Sequence, residues 1–340
     1  MAPPQICVIG SLNIDFVTYT PRCPDAGETL TASSLAISAG GKGANQAVAC
    51  GRASFASKDT QNVSVSMIGA VGADDPYYSA LLRPTLEGSG VSTTGVKQMK
   101  DNQTGSATII VDEGAGGENR ILFVPGANYT GMDNVEAVLA TTQDIHLEQG
   151  VVVMQGEIPR STTLGLMKHF NDPACRSHLI LNPAPVFTEG IPLPALAGTS
   201  VLAMNETEAV LMTKTVQEFL ALPQQTDLKP EELASLFHKH AQVQIVLITL
   251  GAKGAYYSTI TGKQGFVPSA AVEKVVDTTA AGDTFVGYFA TAFAKFVATG
   301  APLADFDAQI DAAVQKANVA AAGCVQRKGA MQSIPFAYEI

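Results

Sequence analysis

Hydrophobic residues in this chain are concentrated in short, nearly continuous runs bounded by Gly, Pro or Asn. The runs are rich in Val, Ile and Leu, a pattern typical of strands that are buried on both faces of a parallel sheet. On this basis we predict strands at residues 6–10, 65–72, 150–156, 178–185, 200–205 and 245–251.

Segments between these runs repeat their apolar positions with a helical period. We predict helices at residues 44–53, 76–90, 161–172, 206–212 and 232–241. The alternation of strands and helices predicts an α/β fold with a doubly wound, mostly parallel central sheet flanked by helices. Ligands bind such sheets at the carboxyl ends of the strands, so polar residues that follow the strands are the first candidates for function.

Two segments, 12–40 and 101–125, instead alternate apolar and polar residues. This pattern predicts antiparallel strands, which we expect to form a small β lid outside the main sheet. No internal repeat divides the sequence. We therefore expect residues 1–340 to form a single α/β domain, with lid strands from both segments.

Composition narrows the class of protein. Of the 340 residues, 46% are hydrophobic and 15% are charged, which supplies a large core and excludes a disordered chain. A net charge of −10 without a Lys or Arg cluster argues against a nucleic-acid partner. The five cysteines include no C-x-x-C pair, which indicates reduced thiols. With no secretory pattern and no bilayer-length apolar stretch, we expect a cytoplasmic protein without a membrane partner.

The strongest chemical signal is the segment VVDTTAAGDTFVGYF at 275–289. We expect a strand to end near Asp277 and a helix to open at Asp283, with Ala280, Ala281 and Gly282 forming an anion hole before the helix. Small residues let a backbone approach a phosphate closely, and the N–H groups at a helix start are unpaired.

Asp283 itself has two interpretations. Beside an anion site, its carboxylate could accept a proton from a hydroxyl that attacks a phosphoryl group. Alternatively, it caps the helix; the small-residue turn before it favours catalysis. The sequence has neither a Walker A motif nor a G-x-G-x-x-G pattern after a strand, so a nucleotide must be held in another way.

Several short motifs together resemble one enzyme family. They are GSLNID at 10–15, SAGGKGANQAVA at 38–49, LNPAP at 181–185, NETEA at 205–209, TLGAKG at 249–254, DTTAAGDTFVG at 277–287 and RKGAMQSIP at 327–335. In this order, across nearly the whole chain, they resemble the PfkB carbohydrate kinases of the ribokinase-like superfamily, which also includes fructokinases and adenosine kinases. The resemblance implies transfer of the γ-phosphoryl group of ATP, with Mg²⁺, to a hydroxymethyl group of a small sugar.

Within this family, the GGKGANQ loop favours D-ribose as the sugar, phosphorylated at its 5-hydroxyl to give ribose 5-phosphate and ADP for central metabolism. Another sugar, such as fructose, or a nucleoside is the alternative substrate. A catalytically silent sugar-binding protein is the third hypothesis, which the presence of Asp283 disfavours.

The resemblance also implies which residues bind the sugar. These are Asn13, Asp15, Gly41, Lys42, Gly43, Asn45 and, in a looser motif, Glu157. A carboxylate such as Asp15 can accept two hydrogen bonds from a vicinal diol. Without the resemblance, Asp15 would be a turn residue, Lys42 a solvated loop lysine and Glu157 an exposed strand-end carboxylate.

ATP is placed by the same resemblance beside Asn205, Glu208, Thr249, Gly251, Gly254, Gly282 and Asn318. Asn205 and Glu208 would organise Mg²⁺ and phosphate largely through water, which suits an ion that keeps much of its hydration. The alternative for this N-x-x-E pair is a helix cap with a first-turn glutamate.

A monovalent cation and a homodimer complete the expectations from the resemblance. K⁺ would be held, mostly by backbone carbonyls, at Asp277, Thr279, Cys324, Arg327, Gly329 and Ser333. The alternative for Asp277 is a carboxylate that ties down the turn. Because lids of related proteins pair with each other, we expect a homodimer formed through the β lid.

Overall fold

The computed structural model describes residues 3–115, 118–145, 147, 150–221 and 228–340. Its strands are β1 (Gln5–Ile9), β2 (Asn13–Thr20), β3 (Ser34–Gly40), β4 (Phe55–Ser57), β5 (Thr60–Gln61), β6 (Ser64–Gly72), β7 (Val91–Met99), β8 (Gly105–Asp112), β9 (Glu118–Val124), β10 (Val151–Met154), β11 (His178–Leu181), β12 (Val201–Asn205), β13 (Ile245–Thr249), β14 (Gly254–Thr259) and β15 (Gln264–Pro268). Its α-helices are α1 (Lys42–Ala53), α2 (Arg83–Gly88), α3 (Ala127–Thr130), α4 (Val135–Asp144), α5 (Arg160–Phe170), α6 (Leu193–Leu196), α7 (Glu206–Phe219), α8 (Pro230–Ala241), α9 (Ala281–Val297) and α10 (Ile310–Val325).

The larger sheet in these ranges has nine strands, in the order β15-β14-β13-β12-β11-β10-β1-β6-β7. The strands from β13 through to β7 pair in parallel, whereas β14 and β15 form an antiparallel edge. Helices cover both faces of this sheet. The prediction of a doubly wound, mostly parallel α/β fold is therefore confirmed.

The two faces of the sheet carry separate hydrophobic cores, and β1 contributes to both. Ile6 and Val8 pack in the core with α1, α9 and α10, whereas Cys7 and Ile9 pack in the core with α5, α7 and α8. Successive side chains of a strand point to opposite faces, so a strand covered on both sides needs apolar residues at every position. This requirement explains the continuous apolar runs in the sequence.

A smaller sheet, in the order β3-β2-β8-β9, is built from the two segments in which lid strands were expected. Its outer pairs are antiparallel, as predicted, but the central pair of β2 and β8 is parallel. Asn13 pairs with Gly105 at the first position of both strands. The two central strands therefore start level with each other, beside the main sheet, and run outward together.

Local predictions around the turn at 277–283 need correction. No strand lies between Pro268 and the start of α9, a stretch that the structure describes completely. The amides of Val276 and Asp277 instead bond to the carbonyl of Val325 at the end of α10. The helix also begins at Ala281, so Asp283 is its third residue rather than its first.

The helix predicted at 76–90 is also divided in the structure. A π-helical turn, Tyr78–Leu82, precedes the short helix α2. Pro84 has no N–H with which to continue an α-helical ladder, which explains the interruption. None of the helices in the described ranges combines the length and apolar character that a bilayer span requires.

Helices α1 and α9 cross closely at Gly287, and this crossing aligns their N-termini. A Cβ atom at Gly287 would lie 2.3 Å from the Cβ of Ala49 and 2.7 Å from the amide nitrogen of Cys50. The hydroxyl of Thr291, one turn further on, donates to the carbonyl of Cys50 at 3.2 Å. Only glycine permits this approach of the two backbones.

Replacement Gly287→Ala should therefore destabilise the protein by about 1–3 kcal/mol through overpacking, despite alanine's higher helix propensity. The matched control is Gly323→Ala on α10, where the nearest atom to an added Cβ lies 3.5 Å away. The control should be neutral or stabilise by up to about 1 kcal/mol. Urea or thermal unfolding measures both, and a stabilised Gly287→Ala protein would contradict the proposed close crossing.

Candidate active site

The N-terminus of α9 forms one wall of the site. Ala280, its N-cap, adopts the left-handed conformation with φ of 61°. A Cβ at Gly282 would meet no atom within 4 Å, so the turn is open on that side. Within the described residues, the amides of Gly282 and Asp283 have no hydrogen-bond acceptor. Unpaired amides at the positive end of a helix dipole make a binding site for an anion.

Asp283 is buried and is held by two side-chain amides from α1. Its Oδ2 accepts from Nδ2 of Asn45 at 3.0 Å, and its Oδ1 accepts from Nε2 of Gln46 at 2.9 Å. Asn45, expected at the sugar, therefore contacts Asp283 directly. The Oδ1 atom of Asn45 is buried without a partner in the part of the chain that the structure describes. A hydroxyl donor from a ligand would satisfy it.

Asn13 and Asp15 lie at the start of β2 and present complementary groups. Oδ1 of Asn13 accepts from Nδ2 of Asn128 at 2.7 Å, which leaves the amide hydrogens of Asn13 as donors. The Asp15 carboxylate makes no side-chain hydrogen bond to any described residue. Burial, assisted by the charge of Glu157, raises the pKa of Asp15 to about 7. Asp15 is thus an acceptor without a donor among the described residues, and it lies within β2 rather than in a turn.

Glu157 caps the N-terminus of α1 instead of projecting into solvent. It accepts from the amide of Lys42 at 2.9 Å and from Oγ of Ser11 at 2.5 Å. Burial raises its pKa, although the Ser11 hydroxyl acts in the opposite direction. Beside it, Gly41 has φ of 90°, and a Cβ there would lie 2.9 Å from the amide nitrogen of Asn13. The loop backbone therefore presses against the start of β2.

Lys42 and Gly43 follow directly in this loop. A Cβ at Gly43 would lie 2.4 Å from the amide nitrogen of Ser11, so the helix start packs tightly on the end of β1. The Lys42 side chain lines a cavity of about 200 Å³ together with Asp283 and Glu208. The charge of Asp283 outweighs burial and, with Glu157 and Glu208, raises the pKa of Lys42. Lys42 therefore lies among carboxylates and not in solvent, while its contact with a sugar stays a prediction.

Asn205 and Glu208 form the helix cap that was the alternative interpretation of the N-x-x-E pair, and their role at Mg²⁺ and phosphate stays a prediction. They form a reciprocal capping box, in which the Glu208 amide donates to Oδ1 of Asn205 at 2.8 Å and the Asn205 amide donates to Oε2 of Glu208 at 2.9 Å. Both residues also line the 200 Å³ cavity. Burial raises the pKa of Glu208, against the effect of the Asn205 amide.

A second cavity of about 620 Å³ adjoins the first across the start of α9. Its lining includes every residue expected around the nucleotide apart from the capping pair, namely Thr249, Gly251, Gly254, Gly282 and Asn318. The Nδ2 group of Asn318 donates to the carbonyls of Val267 and Pro268 at 3.0 and 3.1 Å, so its Oδ1 is available to a ligand. The volume is in the range of nucleotide-sized ligand sites.

The expected cation site lies behind the α9 turn. Burial disfavours the charge of Asp277, but hydrogen bonds from Thr279 and the Gly329 amide outweigh burial and lower its pKa. Asp277 thus ties down the turn and also supplies a full negative charge. Sγ of Cys324 lies 3.5 Å from the carbonyl oxygen of Thr279 and 3.0 Å from Oγ of Ser333, so these three expected residues lie together.

Arg327 turns its guanidinium away from this cluster to pair with Glu339 at 2.9 Å. Only its backbone can therefore serve the cation site, as the expectation of carbonyl ligands requires. One carboxylate with several carbonyls suits a large monovalent ion, whereas no cluster of three or more acidic, His or Cys side chains suited to a metal occurs in the described ranges.

Sequence reasoning assigned no role to several polar residues that hold the site together. They are Ser11, Gln46, Asn128, Gln155 and Asn182. Three of them lie inside motifs already noted, GSLNID, GGKGANQ and LNPAP. The signal that could have found them is their position next to residues with an assigned role, because buried Asn and Gln side chains need hydrogen-bond partners.

Comparison with known proteins places this site in a family. The model of the pfkB family of carbohydrate kinases matches residues 3–337. Ribokinase of Schizosaccharomyces pombe is 37% identical over 345 residues, which cover 99% of this chain and 96% of that protein. The chain belongs to the PfkB family of carbohydrate kinases, which confirms the resemblance seen in its motifs.

Solved structures agree with this assignment. Ribokinase from Giardia lamblia superposes with a TM-score of 0.81 at 28% identity, covering 99% of this chain and 97% of that chain. Ribokinase from Arabidopsis thaliana, solved in complex with ribose and ATP, superposes with a TM-score of 0.75 at 29% identity, with the same coverage of both chains.

The raised pKa of Asp15 predicts a pH-dependent cost in stability. Its native pKa of about 7 lies above the ordinary value of 3.8, so this residue contributes stability at low pH that is lost as the pH rises through 7. Asp15→Asn should remove this loss. The difference in Tm between the variant and the parent, without ligands, should increase by roughly 2–4 °C from pH 5 to pH 8. Calorimetry at several pH values measures this difference. A difference in Tm that stays constant with pH would contradict a carboxylate whose ionised form is disfavoured by burial.

Proposed function

We propose that the protein transfers the γ-phosphoryl group of ATP to the 5-hydroxyl of D-ribose, producing ribose 5-phosphate and ADP. The observation that carries this proposal is the position of Asp283. This buried carboxylate lies beside the α9 amides that have no acceptor among the described residues, and it lines the 200 Å³ cavity that adjoins the 620 Å³ cavity. Ribose and ATP bound to the Arabidopsis thaliana relative support the choice of substrates.

Proton and phosphoryl transfer are assigned to residues around the α9 turn. Asp283 accepts the proton of the 5-hydroxyl as that oxygen bonds to the γ-phosphorus and the bond from phosphorus to the ADP oxygen breaks. The amides of Gly282 and Asp283 stabilise negative charge on the transferring group. Lys42, in the same cavity as Asp283, adds a positive charge. Catalysis then consists mainly of positioning and electrostatic stabilisation.

Sugar recognition follows from the free groups on β2 and α1. The Asp15 carboxylate accepts from a vicinal diol, and the Asn13 amide donates to a sugar oxygen. Oδ1 of Asn45, without a described partner, accepts from another hydroxyl. Glu157 and the loop of Gly41–Gly43 close this side of the sugar.

The 620 Å³ cavity would hold the adenosine part of ATP, with Oδ1 of Asn318 as an acceptor. Asn205 and Glu208 would hold hydrated Mg²⁺, which would supply charge neutralisation for the phosphates. Glu208 fits this role because its carboxylate lines the same cavity as the α9 amides, while its capping bonds keep its orientation fixed.

We propose that K⁺ binds beside Asp277, Thr279, Cys324 and Ser333. The ion would neutralise the ionised Asp277 carboxylate and fix the turn that precedes Gly282. The oxygen ligands suit a weakly hydrated cation. They would be the backbone carbonyls of Thr279, Cys324, Arg327 and Gly329, with Ser333 beside them.

A homodimer through the small sheet is proposed on the basis of its exposed apolar face. Strand pairing places Ile121 and Phe123 of β9 on the same face as Asp15. These side chains are 57% and 41% exposed, although they continue the sugar-binding surface. A second copy of the chain would cover them and produce a particle of about twice the 35.3 kDa chain mass.

The free cysteines support placement of the enzyme in the cytoplasm.

Replacement Asp283→Asn should lower kcat by roughly 10²–10⁴-fold, because it removes the proton acceptor while keeping the shape of the side chain. ATP affinity, measured by calorimetry, should change little. Asp305→Asn, at an exposed site outside both cavities, is the matched control and should retain parental kcat. Near-parental turnover by the Asp283→Asn enzyme would refute the proposed base.

A coupled ADP-release assay with D-ribose, 2-deoxyribose, fructose and adenosine, with and without K⁺, tests the substrate and the cation together. We expect the highest kcat/KM for ribose and a clear loss of activity when K⁺ is replaced by a large organic cation. Preference for another alcohol would retain the kinase and change its substrate, whereas activity with none would favour the silent sugar-binding protein.

A further inference from the structure

Gln46, the fifth residue of α1, is completely buried and lies directly behind Asp283. Its Nε2 donates one hydrogen to Oδ1 of Asp283 and the other to Oδ1 of Asn182, both at 2.9 Å. Its Oε1 accepts from Nε2 of Gln155 at 2.7 Å. All three bonds go to protein atoms, so Gln46 cannot itself contact a substrate from this position.

The orientation of the Gln46 amide is fixed by its neighbours. Nδ2 of Asn182 donates to the backbone carbonyl of Ala203 at 2.9 Å, and a carbonyl can only accept. Asn182 must therefore turn its Oδ1 towards Gln46. A flipped Gln46 amide would place its oxygen against the oxygens of Asn182 and Asp283, and would lose three hydrogen bonds at once. The amide hydrogen of Gln46 consequently always faces Asp283.

The side-chain amides of Gln155, Gln46 and Asn182 are bonded in series and connect three parts of the site. Gln155 lies two residues before Glu157, at the end of β10. Nδ2 of Asn182 also lies 3.4 Å from Oε2 of Glu208. Gln46 is the member that connects these groups to Asp283, since each of the other two amides bonds to it.

We propose that Gln46 is a positioning residue that fixes the plane of the Asp283 carboxylate and stabilises its ionised form before the sugar binds. Together with Asn45 it supplies one N–H donor to each carboxylate oxygen. The second lone pair on each oxygen stays available for the sugar hydroxyl. This inference rests on the proposed role of Asp283 as the proton acceptor.

The test compares Gln46→Met with Gln155→Met, two buried glutamines of one network given the same replacement. Gln46→Met removes the donor to Asp283, so kcat should fall by roughly 10–100-fold, the effect of losing a hydrogen bond to a charged group. KM for ribose should stay within about threefold, since the substrate contacts remain. The acidic limb of the pH profile of kcat should move to higher pH, because the ionised acceptor has lost a stabilising donor. Gln155→Met leaves both donors of Gln46 in place, so it should lower kcat less and leave the acidic limb unmoved.

Gln46→Glu supplies a second measurement that does not depend on tolerance of methionine. Its protonated form can donate to Asp283, whereas its ionised form repels Asp283. The kcat of this variant should therefore decline as the pH rises, over a range in which the parent enzyme is constant. Circular dichroism and Tm report whether each variant is folded.

The outcomes separate the two proposals. A parent enzyme that phosphorylates no sugar of the panel overturns the proposed function. If the parent is active but Gln46→Met and Gln155→Met lower kcat equally, with unmoved acidic limbs and no alkaline decline in Gln46→Glu, Gln46 is structural only and the positioning role is wrong.

Discussion

The bonds from two neighbouring amides of α1 to the carboxylate of α9 are the contact on which the site depends. Asn45 and Gln46 reach the two oxygens of Asp283 only because α1 and α9 begin at the same edge of the sheet. That alignment follows from the close crossing at Gly287, where the backbones approach without an intervening side chain. One glycine in the middle of a helix therefore sets the relative position of two helix starts, and with it the geometry of the proposed proton acceptor and anion hole.

The site contains more buried ionisable side chains than folding alone would favour. Asp15, Glu157 and Glu208 each have a raised pKa because burial disfavours their ionised forms. The positive charge of Lys42 couples to Glu157, Glu208 and Asp283. Buried carboxylates with incomplete pairing reduce the stability of the free protein, and a ligand that donates hydrogen bonds or brings a cation relieves this cost. The acceptors of Asp15 and Asn45, which have no partner in the described part of the chain, thus indicate where ligand binding gains free energy.

Apolar runs predicted every parallel strand of the larger sheet except the edge strand β7, because burial on both faces requires a simple, continuous pattern. The antiparallel edge of β14 and β15 was not predicted, since an edge strand such as β15 has a mixed pattern that is less distinct. The strand expected before Asp277 was wrong, because Val275 and Val276 are exposed and the amides of Val276 and Asp277 bond to the end of α10. Motif positions supplied the candidate residues. The structure gathers those of the α9 turn and those expected at the nucleotide around two adjoining cavities, whereas Asn13, Asp15, Asn45 and Glu157 line neither cavity. Asn182 lies within LNPAP, but its contacts, like those of Gln155 and Asn128, join residues far apart in sequence, and spacing along the chain does not predict such contacts.

Because β2 and β8 start level with each other, the small sheet extends from a root at one end towards free strand ends at the other. Its root is the pair of Asn13 and Gly105, and its far ends are the turns beyond Thr20 and Asp112. At about 3.3 Å per residue, Asp15 lies roughly 7 Å from the root and the tip lies roughly 25 Å away. Any rotation about the root therefore displaces the tip several times further than Asp15. Rotation of the sheet therefore widens the gap at its tip while Asp15, the proposed sugar ligand, hardly moves.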